Sequence, residues 1–119
     1  LGYVPARDLP ALLANARAML YLSRHEGFGL PVANAMACGV PVVTTPGGAL
    51  GEVAGDAAAL VESDDRAGLR QVVLRLINDD DYHRDLGRRA RQRARQWSWD
   101  DHARRVVAAY RRLLAKTTL

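Results

Sequence analysis

The sequence contains only one cysteine, Cys38, so the chain cannot form an internal disulfide. It also lacks an apolar run of about 18 residues, and no charged-then-apolar leader opens it, so neither a membrane span nor a secretory signal is predicted. Cys38 follows Ala35, Met36 and Ala37, an environment typical of a small buried residue. The sequence therefore predicts a soluble protein with Cys38 in its core.

Patterns that bind metals or activate a nucleophile are also missing. The histidines His25, His83 and His102 lack metal-ligand spacing, and the aspartates at 79–81 are interpreted as a helix start and not as a magnesium site. No serine lies in the sharp glycine-flanked turn that is typical of a nucleophilic serine, and Cys38 is assigned to the core, so no nucleophile is predicted. We therefore predict no metal and no other cofactor.

Charge is distributed unevenly along the chain. Residues 1–83 carry six arginines and ten acidic residues, whereas residues 84–119 carry eleven basic and three acidic residues, which gives net charges of −4 and +8. Apolar residues in the stretch 86–97 recur at steps of four, four and three, which predicts a helix with one packed stripe and arginines in water. No aromatic residues alternate with these arginines and no nucleic-acid-binding motif is present, so nucleic acid is not a predicted partner.

A chain of 119 residues is long enough for one domain. Short apolar runs alternate with helical patterns, which predicts an α/β fold, a Rossmann-like parallel sheet with flanking helices. The chain opens without an initiator Met and enters a strand-like segment almost at once, so we expect a piece of something longer. Strands are predicted at residues 2–4, 18–22, 40–44 and 58–61.

Helices are predicted between and after these strands. The first runs from Leu9 to Ala16 behind a cap at Asp8, and the second begins at Pro31 and ends at Gly39. A loop is predicted at 46–48, an amphipathic helix over 69–77, a helix start at 79–81 and a capping box at 98–101 that opens the final helix. The apolar side of that final helix comprises Val106, Val107, Tyr110, Leu113 and Leu114.

The most informative segment is the glycine-containing turn at residues 26–31. Glu26 follows the second predicted strand, at the edge of a parallel sheet where ligands collect. Gly27 and Gly29 remove side chains where a ligand could approach the backbone, and Pro31 suits the first position of a helix. The turn predicts a phosphate site at a helix N-terminus, and an ordinary βα connection fits the same pattern equally well.

Several motifs follow one another along the chain: Gly-Tyr-Val-Pro at 2–5, the helical stretch 9–16, Glu-Gly-Phe-Gly-Leu-Pro at 26–31, Ala-Met-Ala-Cys-Gly at 35–39, Pro-Val-Val at 41–43, Glu-Val at 52–53, Gly-Asp at 55–56 and Trp-Ser-Trp at 97–99. Their order resembles the carboxyl-terminal part of a retaining glycosyltransferase of family 4, which has the GT-B fold. The resemblance implies that residues 1–119 are part of the C-terminal nucleotide-sugar-binding domain, including its C-terminal helices. A separate amino-terminal domain would complete such an enzyme.

The resemblance also implies an activity and its partners. Such an enzyme transfers a sugar from a nucleoside-diphosphate sugar to an acceptor, with retention and without a metal. The sequence identifies neither the sugar nor the acceptor. A bacterial, cytoplasmic parent enzyme is expected, which can associate peripherally with a membrane through its other domain.

The resemblance implies a role for each residue that matches one of the family's motifs. Glu26 would be the first acid of the family's E-x7-E pair, placed near the hydroxyls of the donor sugar, and it is the catalytic candidate. Phe28, Gly29 and Leu30, which follow Gly27, would offer backbone amides to the diphosphate. These five residues form the core of the predicted donor site.

The sequence departs from the family pattern in two ways. The second acid of the pair is replaced by Asn34, whose amide can accept from a ribose hydroxyl but carries no charge. The basic residues that neutralise the diphosphate would precede Leu1, and Arg7 and Arg24 are poor substitutes for them. Residues Gly2 to Val4 would lie beside the base, which is a weaker assignment.

Two other interpretations stay open. A non-catalytic fragment or degenerate homologue could act as a structural or weak nucleotide-binding module, and the substitution at Asn34 favours it. An arginine-rich nucleic-acid binder is the third interpretation, and it depends on the charge of residues 84–119 alone.

Overall fold

Within residues 2–117, which the computed structural model describes, the sheet consists of three parallel strands that lie side by side in chain order. Tyr21 pairs with Thr44, and Thr44 pairs with Leu60. Because the strands are parallel, their carboxyl ends meet at one edge of the sheet. The strands are β1 (Met19–Tyr21), β2 (Val42–Thr44) and β3 (Ala59–Leu60).

Helices connect and flank the strands. Parallel neighbours need a crossover, and α2 and α3 provide the two crossovers of this sheet. None of the helices in the described residues is long and apolar enough to cross a membrane. The helices are α1 (Leu9–Ala14), α2 (Leu30–Ala37), α3 (Gly48–Ala54), α4 (Arg66–Asn78), α5 (Asp80–Ala94) and α6 (Trp99–Thr117).

The core is divided by β2, which is buried along its whole length. Val42 belongs to a cluster on one face of the sheet, together with Met36 of α2. Val43 belongs to the cluster on the other face, together with Leu76 of α4. Because successive side chains of a strand point to opposite faces, a central strand with both faces covered carries apolar side chains on each, here Val42 and Val43, and its one polar residue, Thr44, is hydrogen-bonded.

Three of the predicted strands are confirmed, with shorter bounds, and the predicted strand at residues 2–4 is wrong. Residues 2–5 lie outside the sheet, and the Tyr3 side chain is 90% exposed. The carbonyl of Pro5 already accepts a hydrogen bond from the Asp8 N–H in a turn that leads into α1. A run of three residues with no neighbouring strand among those described cannot satisfy its backbone in a sheet.

The helix predictions are confirmed with three corrections. The Asp8 side chain does not cap α1, because Asp8 has helical dihedrals and Pro10 in the first turn has no N–H to donate. Pro31 occupies the second helical position and not the first. Helix α3 begins at Gly48, inside the predicted loop, where two consecutive glycines concealed a helical pattern.

The C-terminal helices agree with the sequence pattern. Asp79 caps α5 by accepting from the Tyr82 N–H, and Ser98 caps α6 by accepting from the Asp101 N–H at 3.0 Å. Leu86, Ala90 and Ala94 of α5 are buried, as their spacing predicts. Outside these helices, Cys38 is half-buried and packs against the edge of the core, so its assignment to the core is right only in part.

Candidate functional site

The carboxyl edge of the sheet is held together by two buried threonines of β2 and its continuation. The Thr44 hydroxyl donates to the carbonyl of Tyr21 at 2.8 Å, and the Thr45 hydroxyl donates to the carbonyl of Ser23 at 2.9 Å. The first bond joins the residues of the last ladder pair, and the second extends the connection beyond it. The loop that leads from Tyr21 to Glu26 therefore starts from a constrained backbone.

Gly29 sets the geometry of the turn into α2. It is the N-cap of this helix, with φ +92°, and a Cβ at this position would lie 2.5 Å from Cδ2 of Leu50. The left-handed backbone favours glycine, and a Cβ here would also force the Leu50 side chain to move. The N–H groups of Gly29, Leu30 and Val32 have no partner within the helix, and Pro31 has none to offer. The turn thus presents amides at the positive end of a helix dipole.

Glu26 precedes the N-cap of α2 by three residues and is half-buried. The Tyr21 hydroxyl donates to its Oε1 at 2.5 Å, and its other oxygen, Oε2, has no partner among residues 2–115. This hydrogen bond raises the pKa of the Tyr21 hydroxyl above its usual value, with further contributions from burial and from the charge of the carboxylate. The carboxylate is therefore oriented through one oxygen and free to accept through the other.

A cleft of about 520 Å³ lies between α2 and the start of α6. Phe28, Leu30 and Asn34 line it, so the structure brings three of the predicted donor residues together. Its opposite wall includes Trp97, and the Phe28 ring meets Trp97 edge-on with centroids 6.1 Å apart. The volume and the mainly apolar lining are typical of a small-molecule site.

The other predicted site residues, Glu26 and Gly29 among them, do not line this cleft. Gly27 is exposed in the turn, with open space around it. Gly2 and Val4 precede α1 and are not among the residues that line the cleft. Arg7 pairs with its neighbour Asp8, whereas the cationic side chain of Arg105 does line the cleft.

Sequence reasoning missed one residue that contacts Glu26 and two residues that line the cleft. The pattern assigns Tyr21 only to an apolar strand, yet its hydroxyl contacts Glu26. It places Trp97 in a packed stripe and makes no assignment for Arg105, yet both line the cleft. A tyrosine at the end of a strand, five residues before a turn glutamate, is the signal that could have identified the first of them.

The side chains that could coordinate a metal are scattered in this structure. Among residues 2–117, no group of three or more histidine, cysteine, aspartate or glutamate side chains is arranged so that it could hold a metal ion.

The chain is similar to glycosyltransferases over most of its length. It is 41% identical over 113 residues to the O-antigen chain mannosyltransferase B of Escherichia coli, which covers 95% of the chain and 30% of the relative. It is 40% identical over 113 residues to the MMP alpha-(1->4)-mannosyltransferase of Mycolicibacterium hassiacum, which covers 92% of the chain and 28% of the relative. The chain therefore spans about 30% of the length of these relatives.

The fold comparison agrees with the sequence comparison. The structure matches the sucrose-phosphate synthase of Thermosynechococcus elongatus with a TM-score of 0.88 at 28% identity, over 98% of this chain and 30% of that one. The predicted Rossmann-like fold of a GT-B glycosyltransferase is thereby confirmed. The family model "Glycosyl transferases group 1" matches residues 1–93. The resemblance stated from the motifs is confirmed, and the chain belongs to the group 1 glycosyl transferases.

Proposed function

We propose that this chain supplies part of the donor site of a retaining glycosyltransferase, within the C-terminal domain of a longer, cytoplasmic parent protein. The parent transfers a sugar from a nucleoside-diphosphate sugar to an acceptor. The family membership and the relatives named as mannosyltransferases support a sugar donor. A partner domain that completes the site and carries the acceptor is part of this proposal.

One observation supports the proposal most directly. The Glu26 carboxylate and the amides at the N-terminus of α2 lie at the same edge of the sheet, three residues apart. We assign Glu26 to the hydroxyls of the donor sugar, as the catalytic residue. The amides of Phe28, Gly29 and Leu30 contact the diphosphate, where they stabilise the charge that develops as it leaves.

Asn34 and the remaining predicted residues have secondary roles in the proposal. Asn34 is exposed in the cleft, one helical turn beyond Leu30, and we assign its side-chain oxygen to a ribose hydroxyl. Gly27 keeps the turn open for the ligand. Gly2 and Val4 would border the base only if the nucleotide extends beyond the cleft.

The test is Glu26→Gln in the full-length protein that contains this chain. We expect kcat to fall about 100-fold or more, while the Kd of the nucleoside diphosphate changes less than about threefold, because the carboxylate contacts the sugar and not the phosphates. Glu62→Gln, which changes an exposed glutamate in a loop, is the matched control and should leave both quantities unchanged. Equal losses in kcat and in diphosphate affinity would contradict the assignment. The anomeric configuration of the product, read by NMR, tests retention.

Asn34 favours one competing function, a non-catalytic nucleotide-binding module. In that case the full-length protein would bind UDP, GDP or ADP without transferring or hydrolysing sugar from any corresponding donor. Calorimetry alongside a donor-hydrolysis assay separates the two functions.

A further inference from the structure

The orientation of Glu26 depends on one side chain outside the predicted donor site. Tyr21 is the last residue of β1, and its hydroxyl donates to Oε1 of Glu26 at 2.5 Å. Among residues 2–115, no other side chain forms a hydrogen bond or an ion pair with the Glu26 carboxylate. A glutamate on a loop has three rotatable bonds, so without this contact its carboxylate would sample several rotamers.

Tyr21 is itself fixed by the sheet. Its backbone pairs with Thr44 in the parallel ladder, and its carbonyl also accepts from the Thr44 hydroxyl at 2.8 Å. The side chain is half-buried and packs against the core cluster that contains Met36. The Tyr21 hydroxyl thus connects the Glu26 carboxylate to the sheet, which is the rigid part of the fold.

We propose that Tyr21 is a positioning residue for Glu26, and that it holds Oε1 so that Oε2 points to a hydroxyl of the donor sugar. This inference rests on the proposed function, because it assumes that Glu26 acts on the donor. Tyr21 itself does not contact the reacting atoms.

A tyrosine suits this role at neutral pH. The hydrogen bond to Glu26 raises the pKa of Tyr21, so the hydroxyl stays protonated and keeps donating. Since the folded-state pKa is above the usual value of about 10, the bond is fully present below that pH and is lost as the pH rises through the raised value.

The experiment is Tyr21→Phe in the full-length protein, which removes the hydroxyl and keeps the ring in the core. We expect kcat to fall about tenfold, with the Kd of the nucleoside diphosphate unchanged, because a misplaced carboxylate affects the sugar and not the phosphates. Tyr82→Phe is the matched control, since it removes the hydroxyl of another half-buried tyrosine, in α5, away from Glu26. An unchanged kcat for Tyr21→Phe would overturn the inference, as would equal losses of kcat and diphosphate affinity.

A double-mutant cycle separates this inference from the proposed function. If Tyr21 acts through Glu26, then Tyr21→Phe/Glu26→Gln should be no slower than Glu26→Gln alone. If the two effects multiply instead, Tyr21 does not act through Glu26 and the positioning role is wrong. If Glu26→Gln is fully active, the proposed function fails first. If Glu26→Gln is slow and Tyr21→Phe is fully active, only the positioning role fails.

Discussion

Helices α2 and α6 both contain several apolar residues, and they differ in how these residues are covered. In α2, Val32, Ala35 and Met36 are completely buried against the sheet. In α6, every residue from His102 to Ala115 is exposed, including the apolar residues at helical spacing. A periodic pattern therefore shows which face of a helix is apolar, and only a packing partner decides whether that face contributes to stability.

The difference matters for the site, because the donor residues are attached to the packed helix. Glu26 and the glycine turn lead directly into α2, whose buried side holds the helix in place. The cleft is bordered on one side by α2 and on the other by the start of α6. We expect the α2 wall to be rigid and the α6 wall to contribute little to the stability of this chain.

The largest expected effect tests the packed helix. Met36→Ala should lower the free energy of unfolding by about 2–5 kcal/mol, because it removes a fully buried side chain from the centre of the core and leaves a cavity. Urea unfolding of the chain, followed by circular dichroism, measures this loss.

Val107→Ala in α6 is the control for that comparison. Val107 is 45% exposed, and alanine has the higher helix propensity, so the change should be within about 0.5 kcal/mol of zero. A loss comparable to that of Met36→Ala would mean that the face of α6 is covered in solution, and the contrast between the helices would fail.

A smaller effect is expected at the start of α2. Gly29→Ala should cost about 1–3 kcal/mol of unfolding free energy, because φ is +92° and the new methyl group would collide with Leu50. It should also weaken nucleoside diphosphate binding in the full-length protein, since the amides of the turn would shift.

Gly27→Ala is the matched control, because a methyl group at Gly27 would have open space for 4 Å around it and the residue has no positive φ. Its stability should be close to that of the original protein. If both substitutions lower the free energy of unfolding equally, the close contact with Leu50 is not the reason for a glycine at position 29.

The smallest expected effect concerns the exposed face of α2. Asn34→Glu should tighten the binding of a nucleoside diphosphate by about threefold to tenfold, because a carboxylate accepts a stronger hydrogen bond from a ribose hydroxyl than an amide does. Binding of the 2′,3′-dideoxy analogue should not improve. Calorimetry that finds the same change for both nucleotides would remove Asn34 from the donor site.

Local patterns predicted much of the fold. They failed where the structure of a segment depends on contacts with residues far away in the sequence. The buried stripe of α5 follows from apolar spacing and is confirmed, whereas the face of α4 is confirmed in part, because Leu76 is buried but Ile77 is 56% exposed. The strand predicted at residues 2–4 is wrong because a strand needs a neighbour, which spacing alone cannot supply. Helix α3 was missed because Gly47 and Gly48 outweighed the spacing of Leu50 and Val53.

The sequence by itself determined the family, three of the strands and the glutamate in the turn, because motifs and periodicity are local properties. Tertiary structure alone decided what surrounds that glutamate. Tyr21 meets Glu26 because β1 is anchored to β2, and Leu50 crowds the space beside Gly29 because α3 packs on α2. Such contacts depend on the direction of side chains and on the docking of separate elements, which a sequence pattern does not encode.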